Sequence, residues 1–198
     1  MNLDDYRVVF SVSSLIVILI STFPTLALFV SVSNEKEPFS GLWVLGPNRM
    51  IEDYPLDVHV NVSYNIFVGG DNHLGFSSYY LVYVKLRNQT QPLPDTTVSE
   101  PSLLTPLSEF RFFVKDGEAW EKAVTYRILD ASYDNNSIYL SNISINEASI
   151  PINVWARTSS EHPGFYCQLF FELWLYNIQL QSFQFHNRFV GIWLNVTI

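Results

Sequence analysis

Asp71 and His73, in Gly70-Asp71-Asn72-His73, set a carboxylate and an imidazole two residues apart, a spacing that could give a metal ion two ligands. Asp57 and His59 repeat the pair. A closed metal site needs further ligands, and neither pair brings them. The plainer reading is a turn whose Asp and Asn bond their own backbone, so no metal or other cofactor is expected. Glu118 and Glu121 could serve as general acid and base, yet beside Asp116-Gly117 they read as the solvated end of a hairpin. Cys167 is the only cysteine, which excludes an intramolecular disulfide. A catalytic thiol wants a histidine and an electropositive pocket. Its parity with Leu169, Phe171 and Leu173 reads instead as a small core residue, ahead of a bridge to a partner chain. No Gly-x-Ser-x-Gly, phosphate loop, His-Glu-x-x-His or Cys-x-x-Cys occurs, and an enzyme is not expected.

Aromatic faces form the constellation that survives this sorting. From Phe165 to Tyr176, one parity holds Cys167, Leu169, Phe171, Leu173 and Leu175. The other holds Tyr166, Gln168, Phe170, Glu172, Trp174 and Tyr176, too aromatic for an ordinary wet face. Tyr166, Phe170, Trp174 and Tyr176 are therefore the candidate interaction face, suited to a partner or a sugar. Tyr79, Leu81 and Tyr83 give a second such face. Cover by a loop or neighbouring strand is the competing account.

Asn61, Asn88, Asn135, Asn142 and Asn195 each open an N-x-S/T triplet. One triplet means little. Five in one domain point to a glycosylated, extracytoplasmic surface. In Val58-His59-Val60-Asn61-Val62-Ser63 the valines share one face and Asn61 lies on the other. Asn195 likewise lies opposite the aliphatic face of Ile192 to Thr197.

These side chains need elements to hold them, and period-two alternation supplies strands. Candidates are Leu42–Leu45, Val58–Val68, Tyr79–Arg87, Phe110–Lys115, Ala119–Leu129, Ile138–Ile145, Ile152–Arg157, Phe165–Tyr176 and Phe189–Thr197. Gly69-Gly70-Asp71-Asn72, Asp116-Gly117, Asp134-Asn135-Asn136 and His162-Pro163-Gly164 read as turns between them. Asn88 to Ser108 holds Pro92, Pro94, Pro101 and Pro106 and reads as a long loop, functional or disordered. Apolar parity switches at Ser141-Asn142, which predicts a bulge. Many short strands with regular turns point to an all-β, antiparallel sandwich.

No charged side chain lies between Arg7 and Glu35. A membrane-crossing helix needs roughly 20 mainly apolar residues, so residues 1–36 read as a transmembrane anchor with flanks. Residues 37–198 read as one extracytoplasmic β-sandwich domain. A cleavable signal peptide, with Ser31 and Ser33 at the cut, is disfavoured by Asp4 and Asp5 and by the length of the run. Membrane helices tolerate Pro24, and the segment's hydroxyls read as bonded to its own carbonyls. Arg7 before the run, and Lys36 bracketed by Glu35 and Glu37 after it, favour a cytoplasmic N-terminus. With 16% aromatic and 15% charged residues, the chain is too apolar for disorder and suits a sheet protein. The net charge of −8 argues against nucleic acid. Expected partners are the lipid bilayer and other envelope or membrane proteins; oligomeric state is not legible.

Several blocks matter together: Leu45-Gly46-Pro47, Tyr54-Pro55, Val68 to Gly75, Tyr83-Val84-Lys85-Leu86-Arg87-Asn88, Asp116 to Glu121 and Val124-Thr125-Tyr126. Their order resembles an archaeal membrane-protein family filed as domain of unknown function sixteen-sixteen, from about Phe39 onward. The resemblance implies a membrane-anchored immunoglobulin-like domain in an archaeal cell envelope, and it carries no catalytic residues. Members often have several N-terminal helices, where this chain has one. The expectation is a single-pass envelope glycoprotein serving as an interaction or structural module. Rival readings are an accessory subunit of a membrane enzyme or translocation complex, and a pilin-like filament subunit. Asp5-Tyr6-Arg7-Val8 does not fit a pilin precursor, and a glycan-acting enzyme has the least support.

Overall fold

The computed structural model describes residues 3–32, 37–158 and 164–198, in two compact units, Met1–Pro38 and Phe39–Ile198. Ser33 of the alternative cleavage site, and His162 and Pro163 of one expected turn, lie outside the described residues. In the first unit α1 spans Leu3–Val32 with Pro24 inside it. Its segment Tyr6–Pro24 has a mean hydropathy of 1.9 and is long and apolar enough to cross a membrane. Ser11 donates to the Arg7 carbonyl at 2.9 Å, and Ser21 and Thr22 to that of Ile18 at 2.9 and 2.8 Å. Those hydroxyls are satisfied within the helix, as expected of such a segment.

The described residues of the second unit form ten strands. In chain order they are β1 (Phe39–Leu45), β2 (Asp57–His59), β3 (Tyr64–His73), β4 (Ser78–Asn88), β5 (Ser108–Val114) and β6 (Ala119–Asp134). β7 (Ser137–Ile145), β8 (Ala148–Arg157), β9 (Tyr166–Asn177) and β10 (Ser182–Thr197) follow. One sheet has the order β1-β3-β6-β7-β8, the other β2-β10-β9-β4-β5. Every pairing is antiparallel except β2 with β10. Setting β1-β3-β6 against β10-β9-β4-β5 reproduces the A-B-E and G-F-C-C′ strands of an immunoglobulin-like sandwich. The β7-β8 hairpin lengthens the first sheet. The all-β sandwich expected from the alternation is the fold.

Alternation dictates the core. Val82, Val84, Cys167, Leu169, Phe171 and Leu194 from one sheet meet Ile66, Val68, Val124, Tyr126, Ile128 and Leu140 from the other, all fully buried. At roughly 25 cal/mol per Å² of apolar surface, such interlocking is the main favourable contribution to folding.

Several details differ from expectation: β1, β6 and β8 run longer than expected, and three differences change the topology. Val58–Val68 is not one strand: β2 belongs to one sheet and β3 to the other, with a turn at Val60-Asn61 between them. Asn61 adopts a left-handed φ of 65°, which asparagine tolerates, so it sits on a turn rather than on a strand face. Gly69-Gly70-Asp71-Asn72 is not a turn but the end of β3. A Cβ on Gly69 would lie 2.4 Å from the Trp43 ring, so this glycine admits an indole packed flat on the strand. Finally, β10 begins at Ser182 rather than Phe189, because a bulge between Phe185 and Arg188 hides the continuity of its alternation. The parity switch in β7 does mark a bulge, between Leu140 and Asn142. Pro151 is accommodated because β8 is an edge strand.

Candidate functional site

The residues with chemical potential are scattered. Asp71 Oδ1 accepts the Gly41 N–H at 2.6 Å, and Oδ2 lies 3.2 Å from Nε2 of His73, whose ring stacks on Phe39. Asp57 instead accepts from Asn195 Nδ2 at 2.9 Å, and His59 Nδ1 is 2.7 Å from Thr197 Oγ1. The two pairs occupy different sheets, and each is committed to holding neighbouring strands together. Among the described residues, no group of three or more His, Cys, Asp or Glu could hold a metal ion. Glu118 lies 3.6 Å from Lys115, and Glu121 lies 3.1 Å from Arg49, so each carboxylate has its own cation. Cys167 is fully buried, and burial pushes its thiol up to about 12, which leaves it protonated and unreactive.

The non-core face of β9 divides in two along its length. Over its first half the proline-rich loop closes the face. Phe170 and Glu172 are fully buried, with Gln168 nearly so. Lys85 Nζ lies 2.8 Å from Glu172 Oε2, and both groups grip the same residue of the loop. The Ser102 N–H donates to Glu172 Oε1 at 2.9 Å, while its carbonyl accepts from Lys85 Nζ at 2.7 Å. Arg87 donates from Nε to Gln168 at 2.6 Å and reaches the Gln91 carbonyl with its terminal nitrogen. Asn88 to Ser108 is therefore an ordered strap. A buried ion pair repays its desolvation only when its remaining donors and acceptors are satisfied, and Ser102 satisfies two of them. The strap corrects one expectation: Phe170 is beneath it and cannot belong to an exposed face.

Over the second half of β9 the rings emerge. Trp174 pairs in register with Leu81 on one side and Phe185 on the other. Its indole meets Tyr83 edge-on at 5.4 Å and donates from Nε1 to Glu172 at 3.3 Å. Tyr176, Phe183 and Tyr79 follow, with Tyr79 at 6.0 Å from Tyr176, 5.2 Å from Phe183 and 4.9 Å from Phe113. Arg111 lies 5.6 Å above the Phe183 ring. Only parts of the two aromatic faces expected on β4 and β9 adjoin, Tyr79 and Tyr83 with Trp174 and Tyr176, because these strands are neighbours. Leu81 is buried and Tyr166 lies at the far end of β9. Phe113, Phe183 and Phe185 join the adjoining part. The alternation of Phe183 and Phe185 could have announced them, had β10 been extended back across its bulge. Phe113 is 70% exposed, and beside it opens a concavity of about 570 Å³ bounded by Phe76, Tyr79, Tyr176, Ile178 and Phe185.

Nearby, the Tyr80 hydroxyl donates to Asn72 Oδ1 at 3.0 Å and lies 2.7 Å from Ser40 Oγ. His186, turned inward by the β10 bulge, lies 3.1 Å from the same Ser40 oxygen. Burial, with Arg188 second, holds this imidazole below the usual histidine value.

The sequons differ in what their amides already do. Asn61 and Asn135 are exposed on turns, with φ of 65° and 43°. Asn88 Oδ1 caps the start of the strap, accepting from the Thr90 and Gln91 N–H groups at 3.0 Å each. Asn142 Oδ1 accepts from Ser149 at 2.9 Å. Asn195 is the most committed, donating to Asp57 and accepting from the Phe165 N–H at 3.1 Å.

No family model and no curated protein matches the chain. Among solved structures, the CARDB domain of the PF1109 protein from Pyrococcus furiosus, in complex with di-metal ions, aligns at a TM-score of 0.42 and 9% identity. That alignment covers 82% of this chain and 90% of that one. A β-glucosidase from Listeria innocua aligns at 0.39 and 8% identity, over 81% of this chain but only 16% of the enzyme. The fold assignment rests on strand order and not on these likenesses.

Proposed function

We propose that this protein is a single-pass cell-envelope protein whose sandwich lies outside the cytoplasm and works by contact rather than catalysis. The observation that carries the reading is the partly exposed ring cluster of Tyr176, Phe183, Tyr79 and Phe113, with Trp174 beside it on β9. Large exposed aromatic patches are uncommon on a face with no partner, and rings supply much of the energy where surfaces meet. The apolar α1 supplies the anchor, and five sequons support an extracytoplasmic domain. The archaeal family resemblance belongs to the same proposal.

The test is a photo-crosslinking amino acid at Phe113 in the full-length chain, irradiated in intact cells. The expected result is an adduct to an envelope component, protein or lipid, that a crosslinker at Ser137 does not give. Equal, background labelling at both positions would remove the contact-module reading. Intact mass of the membrane-extracted protein tests the anchor, since a species beginning near Asn34 would make it a secreted protein.

A further inference from the structure

The two ends of the sandwich differ in kind. Phe39 pairs with His73, Ser78 with Val114, and Asn177 with Ser182, so these residues share one end. That end carries the loop 74–77 and the hairpins 115–118 and 178–181. Two of these tips are apolar, with Ile178 81% exposed, Leu180 62% and Phe76 61%, while the 115–118 tip is charged. Phe113 and the rings of Tyr79 and Tyr176 rise directly beside them, around the concavity described above.

The opposite end holds every sequon. Asn61 turns between β2 and β3, Asn88 closes β4, Asn135 tips the β6–β7 hairpin, and Asn195 pairs with Tyr166 at the start of β9. Asn142 pairs with Asp130, beyond the Tyr126 that faces the first residue of β3. None of the five lies at the Phe39 end. Phe39 is also the first residue of its unit.

We propose that the Phe39 end of the sandwich seats in a lipid interface, with Phe76, Ile178 and Leu180 entering the acyl boundary and the Tyr79, Tyr176 and Phe113 rings lying at headgroup depth. Apolar tips under a band of tyrosines suit that environment, because a ring with a polar edge prefers the boundary between oil and water. A glycan cannot enter it, and the sequons lie at the other end. Charge does not drive the contact: Lys115 stands with Asp116 and Glu118 on the neighbouring hairpin, and among the described residues of this end no basic cluster faces an anionic headgroup.

This deepens the proposed function, on which it rests, by naming lipid as the occupant of the lower part of the ring surface. The experiment places nitroxide labels at Ile178→Cys and, separately, Asn135→Cys in the full-length chain, reconstituted in zwitterionic lipid vesicles. Cys167 is buried and stays unlabelled under native conditions. Oxygen concentrates in acyl chains and a nickel chelate in water, so their relative collision rates report depth. The label at 178 is expected to favour oxygen several-fold over that at 135, unchanged by high salt. Equal ratios, or a label at 178 shielded from both reagents, overturn the seating, the second result pointing to a covering protein. Release of the chain by alkaline carbonate removes the anchor and the seating together. Retention with a wet label at 178 removes the seating alone.

Discussion

Replacing Glu172 with leucine exposes how the strap is held. In the native domain its two carboxylate oxygens serve Lys85 at 2.8 Å and the Ser102 N–H at 2.9 Å. Glu172→Leu leaves the Lys85 ammonium, only 3% exposed, with the Ser102 carbonyl at 2.7 Å as its remaining short contact. Deleting one member of a buried ion pair costs about 3–5 kcal/mol. The orphaned amide adds about 1–3 kcal/mol, and burial of the leucine offsets part of the sum. A net loss of roughly 4 kcal/mol is expected, and at about 2–4 °C per kcal/mol the melting temperature should fall by roughly 8–16 °C. Near-UV circular dichroism of the detergent-solubilised full chain reads this directly, and limited proteolysis should show faster cleavage between residues 89 and 107. Lys85→Met combined with Glu172→Leu should recover much of the loss, since no charge is then stranded. Recovery stays partial because Ser102 keeps two unpaired groups. A Glu172→Leu melting temperature within about 2 °C of wild type would refute the reasoning.

Trp174→Ala should cost about 2 kcal/mol, less than the roughly 3–5 of a fully buried ring, because the indole is half-buried against Tyr83 and Phe185; thermal melting decides it. Gly69→Ala should displace the Trp43 ring and destabilise by about 1–3 kcal/mol, with a shift in indole fluorescence. A lowered His186 value in the folded state means that the unfolded chain takes up its proton first. Stability is therefore lost as pH falls from about 6.5 towards the folded value, and His186→Gln should flatten that slope in melts across the window. Expressed in a glycosylating host, Asn135 and Asn61 should carry glycans at higher occupancy than Asn195; glycopeptide mass spectrometry showing the reverse would contradict the amide geometry.

The sandwich was legible because its core obeys one rule, alternate burial, and strands such as Phe110 to Val114 follow it without exception. Legibility failed where another constraint shared the same residues. Gly69-Gly70 carries a turn signature, but the local signal contains nothing about the Trp43 ring lying across it. The valines from 58 to 62 alternate correctly, yet a left-handed residue at Asn61 sends the chain to the other sheet. Phe170 and Trp174 have the same parity and similar chemistry. Only the path of the strap, set by Lys85 and Glu172 from distant segments, decides that one is covered and the other partly open. Ion pairs across that much sequence leave no periodic trace.

The parallel pairing of β2 with β10 has a consequence for how the domain is made. Val196 lies beside Val58, and the Asn195 side chain reaches Asp57 across 138 residues of sequence. β10 also forms the whole flank of β9, so that sheet cannot be completed until the final strand has been synthesised. Folding with such distant closures is slow, because chain entropy must be surrendered before the contacts form. During that interval β9 presents an unpaired edge and Val58 lacks its cover. A chain stalled before Asn195 should therefore be held in an association-prone state, and a nearly complete domain should behave in the cell as an unfolded one.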